Sequence, residues 1–218
     1  MERTLEPEVM DTAEEAADYD AMDHSEPNRA FVDRLFALGA RGRMLDIGTG
    51  PGHIPLLVCE RDPDAQVVGV DLSRHMLAVA ERRRAQSPHA ARVTFRIADA
   101  KALDEPTGAY DAVFSNTILH HIPDPRPFLA EAARVLRPGG ALLIRDLMRP
   151  ATEAEVDALV ARHAADCTPR QRELFRASLC AALTVDELRA MADEVGLAHA
   201  EIAVDSDRHM SLQIAARE

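Results

Sequence analysis

The stretch Leu45 to His53, LDIGTGPGH, packs three glycines into nine residues, with an aspartate two positions before the first and a proline before the last. Glycines this dense mark backbone that must come close to something or bend tightly. The residues before the stretch, Arg43 to Ile47, read as a strand, and those after it, Ile54 to Arg61, read as a helix. A strand, a glycine loop and a helix in that order begin a βαβ unit and place a ligand at the strand's carboxyl end.

The same alternation continues along the chain. Strands are expected at Gln66–Asp71, Val93–Ile97, Tyr110–Ser115 and Ala141–Asp146, with helices at Arg74–Gln86 and Pro127–Leu136. Short apolar runs alternating with helical patterns are the mark of a parallel sheet. From Thr152 only helices follow, each opened by a capping box: Thr152 with Glu155, Thr168 with Gln171, and Thr184 with Glu187. Two strands close the chain, roughly Ala198–Val204 and His209–Ala215.

The glycine loop does not suit a nicotinamide dinucleotide. Gly48, Gly50 and Gly52 give G-x-G-x-G, and His53 stands where that fingerprint needs its last glycine. No Gly-Lys-Ser/Thr follows, so it is no P-loop either. Asp46 would repel a pyrophosphate and suits a cationic group instead. A ligand with a positive end is expected.

D-x-G-x-G-x-G after a first strand resembles motif I of class I S-adenosylmethionine-dependent methyltransferases. Further stretches fall into that family's register: Val67-Val68-Gly69-Val70-Asp71-Leu72-Ser73, then Asp99-Ala100, then Tyr110-Asp111-Ala112-Val113-Phe114-Ser115-Asn116. Leu119-His120-His121-Ile122-Pro123-Asp124-Pro125 and Val135-Leu136-Arg137-Pro138-Gly139-Gly140 complete it. The match covers residues 43–146 and resembles the small-molecule enzymes of the family, quinone-biosynthesis methyltransferases among them. The resemblance implies an α/β, Rossmann-like, doubly wound seven-stranded sheet with an antiparallel last strand. N-terminal helices and a helical insertion before the last two strands would accompany it. One domain over 1–218 would then divide into an N-terminal helical lid (1–42), a cofactor-binding core (43–146), a helical cap (147–196) and a final strand pair (197–218).

The resemblance also implies roles. S-adenosyl-L-methionine would be the donor and S-adenosyl-L-homocysteine the product. Gly48, Thr49 and Gly50 would let backbone approach the methionine part, with Asp46 receiving its ammonium directly or through water. Asp71 would accept the ribose hydroxyls. Asp99 and Ala100 would meet the adenine edge, and Leu72 and Met76 its face, although Met76 reads equally as core. Asn116 would end the fourth strand beside the sulfonium. His120 is expected at the cofactor or in a structural contact. Tyr19 closes over the donor or else anchors a surface helix.

A general base is needed only where the acceptor must lose a proton, and His121, Asp146 and His209 are the candidates. Arg208 and His209, in the turn Asp205 to His209, are expected at the acceptor site, against the alternative of a solvated turn. No ligand spacing selects a metal set.

The net charge of −12 bounds the partners. Ten of the acids lie in residues 1–28 against Arg3 alone, so the remaining body is nearly balanced. A small-molecule acceptor is expected and nucleic acid is not. No apolar run is long enough to enter a membrane. Cys59, Cys167 and Cys180 form no CxxC pair, which fits a reducing, cytoplasmic setting. The apolar stripes of 147–196 fit core, acceptor enclosure or a homodimer contact. A cofactor-binding module without turnover and a nicotinamide oxidoreductase are the competing readings, the second disfavoured by Asp46 and His53.

Overall fold

Why the apolar runs are nearly continuous becomes clear from the sheet, which is covered on both faces. The computed structural model describes residues 1–6, 12, 14 and 25–217. Its strands are β1 (Arg43–Ile47), β2 (Gln66–Asp71), β3 (Val93–Ile97), β4 (Tyr110–Asn116), β5 (Leu136–Leu147), β6 (Glu201–Val204) and β7 (His209–Ile214). They form one sheet in the order β3-β2-β1-β4-β5-β7-β6. Strands β1 to β5 pair in parallel, and β7 runs antiparallel between β5 and β6. The expected seven-stranded sheet with its antiparallel last strand is observed.

Helices α1 (Ser25–Ala37), α2 (His53–Arg61) and α3 (Arg74–Gln86) cover one face. There Phe31, Leu35, Val58 and Leu77 pack with Met44, Val67, Phe114 and Leu143. Helix α4 (Arg126–Val135) and helix α7 (Val185–Glu194) cover the other, where Phe128, Leu129 and Leu188 meet Leu45, Ile47, Val113 and Leu142. Met44 and Leu45 thus serve opposite faces of β1, as the two-residue strand period requires.

Helices α5 (Glu153–His163) and α6 (Pro169–Ala181) stand outside these layers. They enclose a third cluster of Leu147, Val156, Leu159, Leu179 and Cys180. All three capping boxes form. The 147–196 region is therefore mixed: α5 and α6 are appended, while α7 belongs to the helical layer beside α4.

One boundary differs from the sequence reading. Leu136 to Gly140 form no free turn after α4; they open β5. Tyr110 pairs with Leu136 and Ala112 with Ala141, so the intervening residues bulge. Gly140 permits this, since a Cβ there would lie 2.7 Å from the Asp111 carbonyl oxygen.

Residues 1–6 form neither helix nor strand. Thr4 N–H donates to the Cys180 carbonyl (3.1 Å), tying the segment to the end of α6. Tyr19 lies outside the described residues.

Candidate functional site

Strand order reverses between β1 and β4, and the carboxyl ends of the strands diverge there. That opening is where ligands enter open α/β sheets. A cavity occupies it. Its wall comes from Asp46, Gly48 to Pro51, His53 and Ile54 after β1, and from Val70 to Ser73 and Met76 after β2. Ala98 to Lys101 follow β3, and Asn116 to Ile118, His121 and Ile122 follow β4, with Asn28 of α1 completing it.

The glycine loop folds back on β2, with the Gly48 and Thr49 N–H groups both donating to the Val70 carbonyl (2.8 and 3.0 Å). Gly48 holds φ +76°, and a Cβ on it would lie 2.4 Å from Ile118 Cγ2. Gly50, at φ +52°, differs: a Cβ there would meet no protein atom within 4 Å. The space beside Gly50 is cavity, so this glycine exposes backbone to whatever fills it.

Three carboxylates ring that space, each from a different strand end. Asp46 is 1% exposed and accepts the Thr49 hydroxyl (2.7 Å). Burial pushes its pKa up to about 7 against the opposing Thr49 bond, with the Asp71 charge adding to the rise. Asp71 Oδ2 accepts the Gly50 N–H (2.8 Å) and Oδ1 the Ser73 N–H (2.9 Å). Asp71 therefore fastens the glycine loop to the start of α3. Asp99 accepts the Lys101 N–H (2.9 Å) and pairs with its ammonium (3.0 Å). Its slight burial acts to raise the pKa, but these Lys101 contacts outweigh it and the net direction is down.

Leu72 presents an exposed apolar side chain and Met76 a buried one. Asn116 Oδ1 is buried and has no hydrogen-bond partner among the described residues. The next residue, Thr117, has φ +61°. A β-branched residue in the left-handed region is strained, and such strain gathers at functional sites.

Of the residues expected from sequence, Asp46, Gly48, Thr49, Gly50, Asp71, Leu72, Met76, Asp99, Ala100, Asn116 and His121 share this cavity. Four do not line it. His120 is turned inward: its Nδ1 lies 2.6 Å from Asp146 Oδ1, and it is 4% exposed. Asp146 also accepts the backbone N–H groups of Leu119, His120 and Leu147. A carboxylate so fully engaged orients His120 and lies outside the cavity lining. Burial acts to raise its pKa, but the His120 charge and hydrogen bond with the Leu147 N–H outweigh it, and the net direction is down.

His209 and Arg208 also lie outside the cavity lining. His209 Nδ1 pairs with the Ser206 hydroxyl at 3.0 Å. Burial first, then Arg145 and Arg208, lower its pKa to about 3. Arg208 Nη1 lies 2.8 and 2.9 Å from the two His163 ring nitrogens, and Asp207 accepts from Arg162 and pairs with His163. The turn does stand at the carboxyl end of the sheet, but its side chains are taken by the last turn of α5.

Asn28, His53, Lys101, Thr117 and Ile118 line the cavity without having been singled out. Asn28 had a signal. It occupies the buried stripe of α1 with Phe31, Val32 and Leu35, where a lone amide is out of place unless it faces a polar site.

His120 and His121 follow β4 in a single 3-10 turn, rings 4.2 Å apart. Glu6 reaches them from the N-terminal segment. Its Oε1 lies 3.1 Å from His121 Nδ1 and 3.5 Å from His120 Nε2, and the Ser178 hydroxyl donates to the same carboxylate.

Residues 38–196 match the family model described as a methyltransferase domain. The chain is similar to 27-O-demethylrifamycin SV methyltransferase of Amycolatopsis mediterranei, 33% identical over 79% of this chain and 61% of the relative. It is similar to demethylmenaquinone methyltransferase of Thermus thermophilus, 43% identical over 50% of this chain and 48% of that protein. Each match thus spans less than two thirds of the relative's length. Among solved structures, phosphoethanolamine N-methyltransferase 2 of Haemonchus contortus, in complex with S-adenosyl-L-methionine, aligns with TM-score 0.63 and 27% identity, over 82% of this chain and 38% of that one. A SAM-dependent methyltransferase from Aquifex aeolicus aligns with TM-score 0.68 and 16% identity, over 93% and 97% of the two chains, a likeness of fold.

Proposed function

The chain belongs to the methyltransferase-domain family, and from that premise we propose that it transfers a methyl group from S-adenosyl-L-methionine to a small-molecule acceptor. The observation that carries this reading is the convergence of Asp46, Asp71 and Asp99, from three successive strands, on one cavity beside the bare backbone of Gly50. A pyrophosphate would meet negative charge there, whereas a zwitterionic nucleoside sulfonium finds acceptors along its length.

The residues present fit that donor. Gly50 leaves open space where a side chain would block it, and Asn116 offers a buried carbonyl oxygen that lacks a partner among the described residues. In the proposal Asp46 meets the ammonium, Asp71 the ribose hydroxyls, and Asp99 with Ala100 the adenine edge. Leu72 and Met76 cover its face. The sulfonium supplies an activated methyl group and leaves as a neutral thioether. The protein's own work is then alignment and exclusion of water. His121 is the member of the histidine pair that lines the cavity, and in the proposal it meets the acceptor.

The three free cysteines support a reducing, cytoplasmic setting. No described helix is long and apolar enough to cross a membrane.

Calorimetry with S-adenosylhomocysteine and with NADH tests the donor assignment. Binding of the first and not the second is expected, and the reverse overturns it. Incubation with methyl-labelled donor and cell extract tests turnover. Labelled small molecules support transfer, and tight binding without label transfer leaves a binding module.

A further inference from the structure

Glu6 is a buried carboxylate on an irregular segment that has few reasons of its own to be held. Its side chain is 9% exposed, and the segment is pinned by Thr4 and by Arg3, which donates to five carbonyls, among them Ala181 (2.6 Å), Ile122 (2.9 Å) and Pro123 (2.9 Å). The result is two carboxylates on one histidine: Asp146 at Nδ1 and Glu6 at Nε2. Asp146, 2.6 Å away, holds a proton on Nδ1, so in a neutral ring the Nε2 lone pair would point at a carboxylate oxygen, and only a proton or a cation at Nε2 relieves that. Two acceptors facing each other in a buried site repel unless something positive lies between them.

The spacing says what that is. A charge-assisted hydrogen bond would draw the atoms to about 2.7–2.9 Å. The observed Glu6 separations are 3.5 Å to His120 Nε2 and 3.1 Å to His121 Nδ1. Donors bound tetrahedrally to a cation at about 2.0–2.1 Å stand about 3.3 Å from one another. One ligand atom from each of Glu6, His120 and His121 lies within 4.8 Å of the others. The charge also closes, since a divalent cation offsets Glu6 and Asp146 with both histidines neutral. Asp146 on His120 is the carboxylate–histidine arrangement that orients metal-bound imidazoles.

We propose that Glu6, His120 and His121 form a binding site for a divalent cation of the borderline kind that imidazole and carboxylate hold together, such as zinc. Two imidazoles and one carboxylate leave at least one coordination position open. Because His121 also lines the cavity, the bound cation stands at the cavity's edge. This site is separate from the donor-binding residues, and its existence does not depend on methyl transfer.

The test uses the full chain after chelator treatment, with Zn²⁺ alone titrated by calorimetry and Co²⁺ followed by its visible absorption. One equivalent of tight binding is expected, with a Co²⁺ spectrum of low coordination number. Glu6→Gln and His121→Asn should each weaken Zn²⁺ binding more than tenfold, and Asp146→Asn about tenfold or more through the orientation of His120. His163→Ala, in the cluster with Asp207 and Arg208, should leave the stoichiometry unchanged. S-adenosylhomocysteine affinity, measured on the same variants, reports separately whether the cavity is intact. A folded wild-type chain that binds no Zn²⁺ overturns the site and makes the cluster a protonated histidine between two carboxylates. Binding lost in His163→Ala, or retained in both Glu6→Gln and His121→Asn, overturns it too.

Discussion

Asp46 combines two properties seldom found together in a carboxylate: it is almost wholly buried, and it faces a cavity. With its pKa raised to about 7, the folded chain carries a proton there that the unfolded chain has lost above about pH 4. The folded state therefore binds more protons between those values, and this group's contribution to stability declines as pH rises through that window. An arriving ammonium would favour the charged form and expel the proton. Binding of S-adenosylhomocysteine should accordingly release about half a proton at pH 7, more at pH 6 and almost none at pH 9. Calorimetry in buffers of different ionisation enthalpy reads this directly, and Asp46→Asn should abolish it. No buffer dependence would remove Asp46 from the ammonium. At Asp71 the structure adds a second duty to the ribose assignment, because its oxygens already hold the Gly50 and Ser73 N–H groups. Asp71→Ala should weaken S-adenosylhomocysteine binding by about 1.5–3 kcal/mol, since the loss removes charge-assisted bonds and frees the loop. Asp71→Asn should keep part of the affinity, as an amide oxygen can still accept one backbone N–H. Unchanged affinity in a folded Ala variant would exclude the assignment.

The loop after β1 shows how glycines of one motif differ in what they do. Gly48 and Gly50 both have positive φ, so any side chain at either costs about 1–2 kcal/mol in backbone strain. At Gly48 the added Cβ also strikes Ile118, 2.4 Å from Cγ2 and 2.8 Å from Cδ1, whereas at Gly50 it enters the cavity. Gly48→Ala should lose stability beyond the strain alone, visible in thermal unfolding. Gly50→Ala should lose little more than the strain yet bind S-adenosylhomocysteine at least tenfold more weakly. Equal effects in both assays would mean that the loop is an ordinary turn. This distinction was not legible in LDIGTGPGH, because it depends on a residue seventy positions away. What was legible at this scale was the strand ends. Asp46, Asp71 and Asn116 stand at the carboxyl ends of strands whose apolar residues the sheet buries on both sides, while Asp99 follows the edge strand β3, where burial alternates. Asp146 is placed differently. It too ends an apolar strand, but the 3-10 turn after β4 folds over it and takes its oxygens. Likewise Leu136 is expected to end a helix, and only its pairing with Tyr110 shows that β5 begins there.

At the scale of the whole molecule the sheet was readable because its connections from Arg43 to Leu147 are local, with βαβ units joining β1 to β2, β2 to β3 and β4 to β5 and a loop joining β3 to β4. The attachment of residues 1–6 was not. It joins Arg3 to carbonyls more than a hundred positions away, and nothing in the local sequence encodes such a contact. Physically it is a staple across three regions: Arg3 holds the turn from Leu119 to Pro123, which carries the histidine pair, to Ala181 at the end of α6, while Thr4 binds Cys180. The guanidinium suits this work because its planar fork can serve several carbonyls at once. Burial lowers its pKa, with the Glu187 charge opposing, yet an arginine remains charged at any pH at which the protein is folded. Arg3→Ala leaves those carbonyls to find water in a partly buried place, at a cost of about 2 kcal/mol. A chain of this length should then melt about 4–8 °C lower. Backbone amides of residues 119–123 and of the end of α6 should exchange faster in the variant, while those of β1 and β2 keep their protection. Arg3→Lys should recover only part of the loss, because an ammonium is a point donor without the fork. Were the Ala variant to melt with the wild type and show no change in exchange at either place, the N-terminal segment would be lying on the surface rather than fastening the cap to the histidine turn.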